Sequence, residues 1–278
     1  MRGKKREKRA GLPSEPQNSR IGVTPGPDNP ERRCDRYNRP MESLDLARIL
    51  FEDPHLIAVN KPAPLLTQAP VGIPNLESLV KAYIKAKYAK PAGVYLGVPH
   101  RLDRPVSGVV VFARNTKAAQ RVHLQFEERT ARKVYWACVE GEIASETGTW
   151  EDWIRKLPDE AKVERTAEGE PGAKRATLHY RVLQKLDGGT LLELAPETGR
   201  MHQLRVQSAW RGHPIWGDGL YAASREFGPT TDDPRGRVIA LHARSLTIRH
   251  PFTQEELTFV APLPEYWPVE PILWNDPS

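Results

Sequence analysis

Residues 99–114 read PHRLDRPVSGVVVFAR, a charged loop followed at once by an apolar run. The run Val109–Phe112 is too short for a helix and is typical of a buried strand. Asp103 precedes this run and lies between Arg101 and Arg104, whose positive charge favours the ionised carboxylate. A fixed carboxylate beside phosphate-binding guanidinium groups is suited to nucleophilic attack on a nucleic acid. Most such neighbours are simple surface ion pairs, so this loop alone is compatible with either interpretation.

On both sides of this loop, the sequence predicts an α+β fold. Leu76–Tyr88 has apolar side chains at helical spacing with Asn75 as its N-cap, and a second helix is predicted to begin with Thr116 as its cap. Residues 143–175 are predicted to be a charged loop with one short strand near Trp150–Ile154. The irregular order of helices and hairpins indicates a mixed, mainly antiparallel central sheet with flanking helices. Its other strands are predicted at Ile49–Phe51, Leu56–Val59, Val134–Val139, Ala176–Leu183 and Thr190–Ala195, with a hairpin turn at 187–189.

The excess positive charge of the 278-residue chain lies in its first 40 residues. Residues 1–40 hold 11 Lys and Arg against 5 Asp and Glu, whereas residues 41–278 hold 30 of each kind. The proline-rich, charged composition of residues 1–42 predicts a disordered basic tail, which either attracts RNA phosphates or only keeps the protein in solution. Residues 43–278 are predicted to form a single catalytic domain. If this domain binds nucleic acid, it needs a polarised face.

Composition also bears on the cellular compartment and on cofactors. Cys34 and Cys138 form no disulfide framework, which favours reduced thiols in the cytoplasm. The sequence has no run of about 18 apolar residues that would predict a membrane span, and the basic N-terminus lacks the apolar stretch of a secretory signal. The histidines are scattered and no glycine-rich phosphate loop is present, so neither a metal nor a cofactor is predicted.

A second charged motif lies at residues 196–221, PETGRMHQLRVQSAWRGHPIWGDGLY. The Thr-Gly pair at 198–199 is predicted to open a helix. Within this helix His202 and Arg205 are three residues apart and therefore share a face, with Arg200 at the helix start. A helix that presents two arginines and a histidine to a cleft is suited to binding phosphate and carboxylate groups.

Together these motifs resemble those of the RluA-type pseudouridine synthases. The sequence has, in that family's order and spacing, HRLDR at 100–104 with Ser-Gly at 107–108, KVY at 133–135, TGRMHQLR at 198–205 and GHPIWGD at 212–218. The resemblance extends over about residues 44–265 and implies the pseudouridine synthase fold. It also implies an isomerase that converts specific uridines of structured ribosomal or transfer RNA to pseudouridine, without a cofactor or a metal.

The resemblance also implies roles for individual residues. Asp103 is the implied catalytic carboxylate, which either attacks C1′ of the ribose or acts as a base at C2′. Tyr135 stacks on the uracil and is a candidate for removing its C5 proton, and Arg205 pairs with Asp103. A stacked uracil cannot reach a buried carboxylate, so the nucleotide flips out and Arg101 fills the space that it leaves. Further RNA contacts are expected from Arg104, Lys133, Arg200 and His202.

Two other functions are weighed against this one. A catalytically inactive RNA-binding module of the same fold would need none of Asp103, Tyr135 and Arg205, and their joint presence favours the enzyme. A carboxylate glycosidase needs a second acid at a defined separation, for which Asp218 is the candidate. We expect the protein to be a monomer, which is the usual state in the family that it resembles.

Overall fold

The computed structural model describes residues 44–269, which contain one sheet of ten strands with helices on both faces. The helices are α1 (Leu76–Lys87), α2 (Thr116–Glu127) and α3 (Gln203–Trp210). The strands are β1 (Ile49–Glu52), β2 (Leu56–Lys61), β3 (Ser107–Ala113), β4 (Arg132–Glu140), β5 (Thr147–Lys156), β6 (Val163–Thr166), β7 (Lys174–Leu186), β8 (Gly189–Pro196), β9 (Leu241–Arg249) and β10 (Glu256–Val260).

The strand order confirms the predicted α+β class. It runs β1-β2-β3-β9-β4-β8-β7-β5-β6, with β10 also paired to β9. All pairings between these strands are antiparallel except that of β3 with β9. β9 is shared, because its first residues pair with β3 and its last residues pair with β10. The Asp103 loop therefore enters the sheet at the start of β3, beside the first residues of β9.

β2 and β3 are buried on both faces, which explains their continuous apolar sequences. Leu56 and Ala58 of β2 pack in one hydrophobic cluster with α2. Ile57 and Val59, which alternate with them, pack in the other cluster with α1. The run predicted as a buried strand is β3, and all seven of its residues are buried. The two helices thus hold β3 between them and fix the end of the loop that carries Asp103.

Two sequence predictions about local structure are wrong in part. Asn75 caps α1 as predicted, but the cap of α2 is Asn115, whose Oδ1 accepts a hydrogen bond from the Ala118 amide. Residues 143–175 contain more strand than predicted, because β5 extends the strand predicted near Trp150–Ile154 in both directions and the short strand β6 follows it. Asp152 is buried between Trp150 and Ile154 on the same face of β5, so a charged residue interrupts the apolar alternation of this strand in the sequence, and its ion pairs with Arg165 and Arg211 form only in the fold.

The helix predicted to open at Thr198 begins at Gln203 instead. The Gln203 side chain accepts hydrogen bonds from the Thr198 hydroxyl (2.7 Å) and from the Arg200 amide (3.1 Å), which folds the preceding segment into a turn. His202 ends this turn with a left-handed backbone, φ 50°. His202 therefore reaches the cleft from the turn and not from the face of the helix.

The described residues bear on only some of the predictions about the cysteines, the N-terminal tail and membrane spans. Cys138 is a free thiol buried in β4, whereas Cys34 and the predicted tail, residues 1–42, lie outside the described residues. Among the helices of residues 44–269, none is both long and apolar enough to cross a membrane.

Candidate active site

The loop before β3 and the turn before α3 face each other across a cleft of about 740 Å³. Arg104 lies outside its lining and contributes its backbone carbonyl, which accepts a hydrogen bond from the Leu65 amide at 3.1 Å. The other seven candidate residues all line this cleft: Arg101, Asp103, Lys133, Tyr135, Arg200, His202 and Arg205. The fold thus brings together residues that are up to about a hundred positions apart in the sequence.

The base of the Asp103 loop is fixed where β3 runs parallel to β9. Gly108, with a φ of 117°, lies so close to the backbone of Ala243 that a Cβ would overlap it. The adjacent Ser107 hydroxyl lies 2.8 Å from Nδ1 of His242. Because Nε2 of His242 faces a backbone carbonyl at 3.1 Å and donates to it, Nδ1 accepts the Ser107 hydrogen.

The start of the loop is held by His100. Its Nε2 accepts a hydrogen bond from the Val111 amide at 2.9 Å, and its ring stacks on Phe126 with centroids 4.7 Å apart. Burial lowers the pKa of His100 to about 3, so the ring is neutral and able to accept. With both ends tied to β3, the loop presents Asp103 from a rigid base.

The contacts of Asp103 with Arg205 and His202 are all made by one carboxylate oxygen, Oδ2. Arg205 Nη1 lies 3.3 Å and His202 Nε2 3.5 Å from Asp103 Oδ2, and within residues 44–269 Oδ1 has no hydrogen-bond partner. The Asp103 side chain is 34% exposed, so it is open to the cleft. The prediction that Arg101 and Arg104 supply the neighbouring charge is wrong, since neither forms an ion pair with Asp103 in the described part of the chain. The arginine within ion-pair distance of Asp103 is Arg205 of α3.

Arg205 bridges two carboxylates of different exposure. Its Nε and Nη2 donate to the two oxygens of Asp218 at 2.6 and 2.7 Å, and both side chains are buried. Burial disfavours the charged guanidinium, but the hydrogen bonds to Asp218 outweigh it and raise the pKa of Arg205. Asp218 therefore orients Arg205 towards Asp103. It is not available as the second acid of a glycosidase, because Arg205 occupies both of its oxygens.

Tyr135 and Lys133 enter the cleft from the same side of β4, two residues apart. Burial, followed by the negative charge of Asp103, raises the pKa of Tyr135, so its phenol is neutral at physiological pH. Burial, together with the nearby charge of Arg129, lowers the pKa of Lys133. The strand thus offers the cleft an uncharged aromatic ring and a partly desolvated amine.

Lys61 is a functional candidate that the sequence reasoning missed. It ends β2 fully buried, and its Nζ donates to the carbonyls of Leu65 at 2.6 Å and Arg104 at 3.3 Å. Burial lowers the pKa of Lys61 to about 7, with Asp103 acting in the opposite direction. This amine ties the segment after β2 to the residue that follows Asp103. The available signal was a lysine directly after four apolar strand residues and an asparagine.

The positive charge of the cleft could not be predicted from the amino-acid composition either. The lining holds five Lys and Arg side chains against three carboxylates, and it includes Arg129, which no motif indicated. Residues 41–278 are neutral overall, so this polarised face arises only when the chain folds. Within residues 44–269 no cluster of three or more His, Cys, Asp or Glu side chains could hold a metal ion.

Comparisons with known proteins show which family this chain resembles. The family described as RNA pseudouridylate synthase matches residues 55–210. A Xylella fastidiosa protein named ribosomal large subunit pseudouridine synthase D is 36% identical over 224 residues, which are 78% of this chain and 66% of that protein. The Haemophilus influenzae dual-specificity RNA pseudouridine synthase RluA is 35% identical over 241 residues, 81% of this chain and 96% of that protein. The chain thus spans about two thirds of the first relative and nearly all of the second.

A solved structure supports the same assignment. The human RNA pseudouridylate synthase domain containing 4 has a TM-score of 0.65 and 27% identity, over 79% of this chain and 90% of that chain. This similarity confirms the predicted pseudouridine synthase fold. The family match covers more than half of the chain and runs from the start of β2 to the end of α3, so it includes both walls of the cleft. The chain therefore belongs to the RNA pseudouridylate synthase family, the family of isomerases that its motifs predicted.

Proposed function

We propose that this protein converts specific uridines of structured RNA to pseudouridine, with Asp103 as the catalytic carboxylate acting on a flipped-out nucleotide. The proposal is carried by one observation: Asp103, Tyr135 and Arg205 meet in a single positively charged cleft. The names of the relatives support the reaction. We further propose ribosomal or transfer RNA as the substrate and a cytoplasmic monomer as the active form, as the family resemblance implies.

The reaction is an isomerisation in which atoms and electrons balance within the uridine. The bond from C1′ to N1 breaks and a bond from C1′ to C5 forms. The C5 proton leaves and N1 takes up a proton, so nothing is oxidised and no co-reactant is consumed. Asp103 either attacks C1′ or removes the proton at C2′. In both cases Oδ1 is the reacting oxygen, because Arg205 and His202 hold Oδ2.

Arg205 acts on the catalytic carboxylate of Asp103, and Tyr135 acts on the uracil of the substrate. Arg205 orients Asp103 through a charge-assisted hydrogen bond of 3.3 Å to Oδ2. Tyr135 stacks on the everted uracil, a role that needs only its ring. Its raised pKa keeps the phenol neutral, which makes it a weak base for the C5 proton.

The remaining candidates bind the RNA backbone and stabilise the flipped state. Arg101 is exposed at the cleft, where its planar guanidinium replaces the everted base, whose extrusion costs a few kcal/mol. Lys133 and Arg200 contact phosphates, and Arg129 adds a further cation beside them. His202 was grouped with these residues, but it faces Asp103 and acts on the carboxylate.

The test uses RNA from a strain that lacks the gene. The purified protein is incubated with this RNA, and pseudouridine is mapped by carbodiimide treatment and reverse-transcription stops. We expect one or a few stops to appear at defined uridines, with release of tritium from C5-labelled uridine in the same RNA. Specific RNA binding without new stops or tritium release would instead support the inactive binding module and overturn the proposal.

A further inference from the structure

A chain of hydrogen bonds runs from the backbone of β6 to the cleft through Tyr221 and His202. The Val163 amide donates to the Tyr221 hydroxyl at 3.0 Å, and this hydroxyl lies 2.9 Å from Nδ1 of His202. Nε2 of the same imidazole lies 3.5 Å from Asp103 Oδ2. Tyr221 sits three residues after Asp218, at the end of a short 3-10 turn.

The direction of each hydrogen in this chain follows from its first member. The Val163 amide can only donate to the Tyr221 oxygen, so within the described residues Nδ1 of His202 is the acceptor that the hydrogen of this phenol finds. The neutral imidazole then carries its hydrogen on Nε2, the ring nitrogen that lies 3.5 Å from Oδ2 of Asp103. The opposite tautomer would direct a lone pair at an anion. Both ends of the imidazole therefore require the same tautomer.

The charges around His202 are compatible with a neutral ring. Burial lowers the pKa of His202, opposed by Asp103 and supported by Arg205. Burial raises the pKa of Tyr221 to about 12, so the phenol keeps the hydrogen that it donates. The titratable and charged groups that face this pair are Asp103 from the catalytic loop, Arg205 from α3, Asp218 from the turn after it and Lys162, 5.9 Å from the centre of the Tyr221 ring.

We propose that Tyr221 is a positioning residue for the isomerisation, which acts through the tautomer of His202 to hold Oδ2 of Asp103 and to present Oδ1 to the ribose. The proposal rests on the proposed function for its catalytic consequence. The hydrogen-bond chain itself can be tested without substrate.

Tyr221→Phe removes the hydroxyl and keeps the ring. The ring packs against Ile154, Val163 and Val206, so the fold should survive the change. Without the phenol donor, the lone pair of Nδ1 is free to take a proton, and the pKa of His202 should rise by about one unit, the equivalent of one hydrogen bond. A charged imidazolium beside Asp103 makes the carboxylate a weaker nucleophile.

Two measurements test this chain, with Tyr180→Phe as the matched control because Tyr180 packs on Trp150, away from the cleft lining. Nitrogen NMR of the histidine rings, with His202 assigned from the spectrum of His202→Gln, reports its tautomer and titration. We expect a neutral Nε2–H tautomer at pH 7 in the wild type, and a pKa about one unit higher in Tyr221→Phe. For RNA turnover, we expect kcat about tenfold lower, an unchanged KM, and an acid limb moved to higher pH.

The outcomes separate this inference from the proposed function. An Nδ1–H tautomer in the wild-type protein would overturn the inference, even if Tyr221→Phe failed to fold. A Tyr221→Phe profile that superimposes on that of the wild type or of Tyr180→Phe would overturn it as well. If the wild-type protein formed no pseudouridine, the proposed function would fail, and the expected spectra would still support the hydrogen-bond chain.

Discussion

Arg205 joins a buried carboxylate, Asp218, to a half-exposed one, Asp103, and this geometry sets what its removal costs. Arg205→Met leaves Asp218 charged and unpaired in the interior, so we expect a loss of about 3–5 kcal/mol in the free energy of unfolding. The double variant Arg205→Met/Asp218→Leu removes both charges and should recover most of that loss. It should not recover turnover, because Asp103 still lacks its guanidinium partner.

Urea unfolding and pseudouridine formation measured on the same preparations check this prediction. Recovery of activity together with stability in the double variant would show that Arg205 only holds the fold. A single variant as stable as the wild type would contradict the buried pairing itself.

At single positions, the sequence predicted side chains that belong to short motifs, even where two of them meet only in the fold, as Asp103 and Arg205 do across 102 residues. It missed side chains that lie outside those motifs. Asp103, Tyr135 and Arg205 all came from short motifs, and all line the cleft. Lys61 and Tyr221 could not be found in this way. Lys61 donates to a carbonyl 43 residues away, and Tyr221 joins an amide 58 residues away to His202 at the cleft.

The stability of the protein should depend on pH through Lys61 at the end of β2. Burial lowers the pKa of this amine to about 7. Unfolded lysine keeps its proton up to a pH of about 10.4, whereas native Lys61 loses it near 7. Between these values the unfolded state binds more protons, so stability should rise with pH. Relative to Lys61→Met, the wild type should gain up to about 1.4 kcal/mol of unfolding free energy per pH unit from pH 7 to 10.

Urea unfolding at pH 7, 8 and 9 measures this difference. Lys81→Met is the control, because it makes the same change at a lysine of α1 that is paired with Glu77 and is not buried. Parallel pH curves for the wild type and Lys61→Met would mean that Lys61 stays charged when the protein is folded.

A strand or helix could be predicted well where its buried positions are all apolar, and less well where a polar or charged residue is buried among them. β3 was predictable because both of its faces are buried and its sequence is purely apolar. β5 was predicted too short, as a strand near Trp150–Ile154 only, because the buried charge of Asp152 interrupts its apolar pattern. The start of α3 was placed too early, since the side chain of Gln203 folds the Thr-Gly segment into a turn that resembles a helix start in sequence.

For the molecule as a whole, the polarised cleft predicts how RNA affinity depends on salt. Each cation that neutralises a phosphate releases a counterion, so affinity should fall linearly with salt on logarithmic axes. Lys133→Ala and Arg200→Ala should each reduce that slope by roughly 0.7–0.9. Lys185→Ala is the matched control, because Lys185 is an exposed lysine paired with Glu142 outside the cleft lining.

Filter binding at several salt concentrations gives these slopes. Equal slopes for the wild type, Lys133→Ala and Arg200→Ala would place the phosphate contacts elsewhere on the protein. An altered slope for Lys185→Ala would show that binding depends on total charge and not on the cleft.

The overall architecture could be predicted further than the distribution of charge. The fold and the family followed from four ordered motifs in the sequence. The positive cleft did not, because residues 41–278 hold equal numbers of acidic and basic side chains. Folding gathers an excess of basic side chains in the cleft. This distribution cannot be predicted from composition.

The most direct measurement of the catalytic role of Asp103 is the turnover of Asp103→Asn, which keeps the shape of the side chain and removes its charge. Glu127→Gln is the matched control, since it makes the same chemical change at another carboxylate of the cleft. We predict that Asp103→Asn lowers tritium release from C5-labelled RNA by more than about 10²-fold with RNA affinity nearly unchanged. Glu127→Gln should retain turnover. Wild-type turnover by Asp103→Asn would contradict a catalytic role for Asp103.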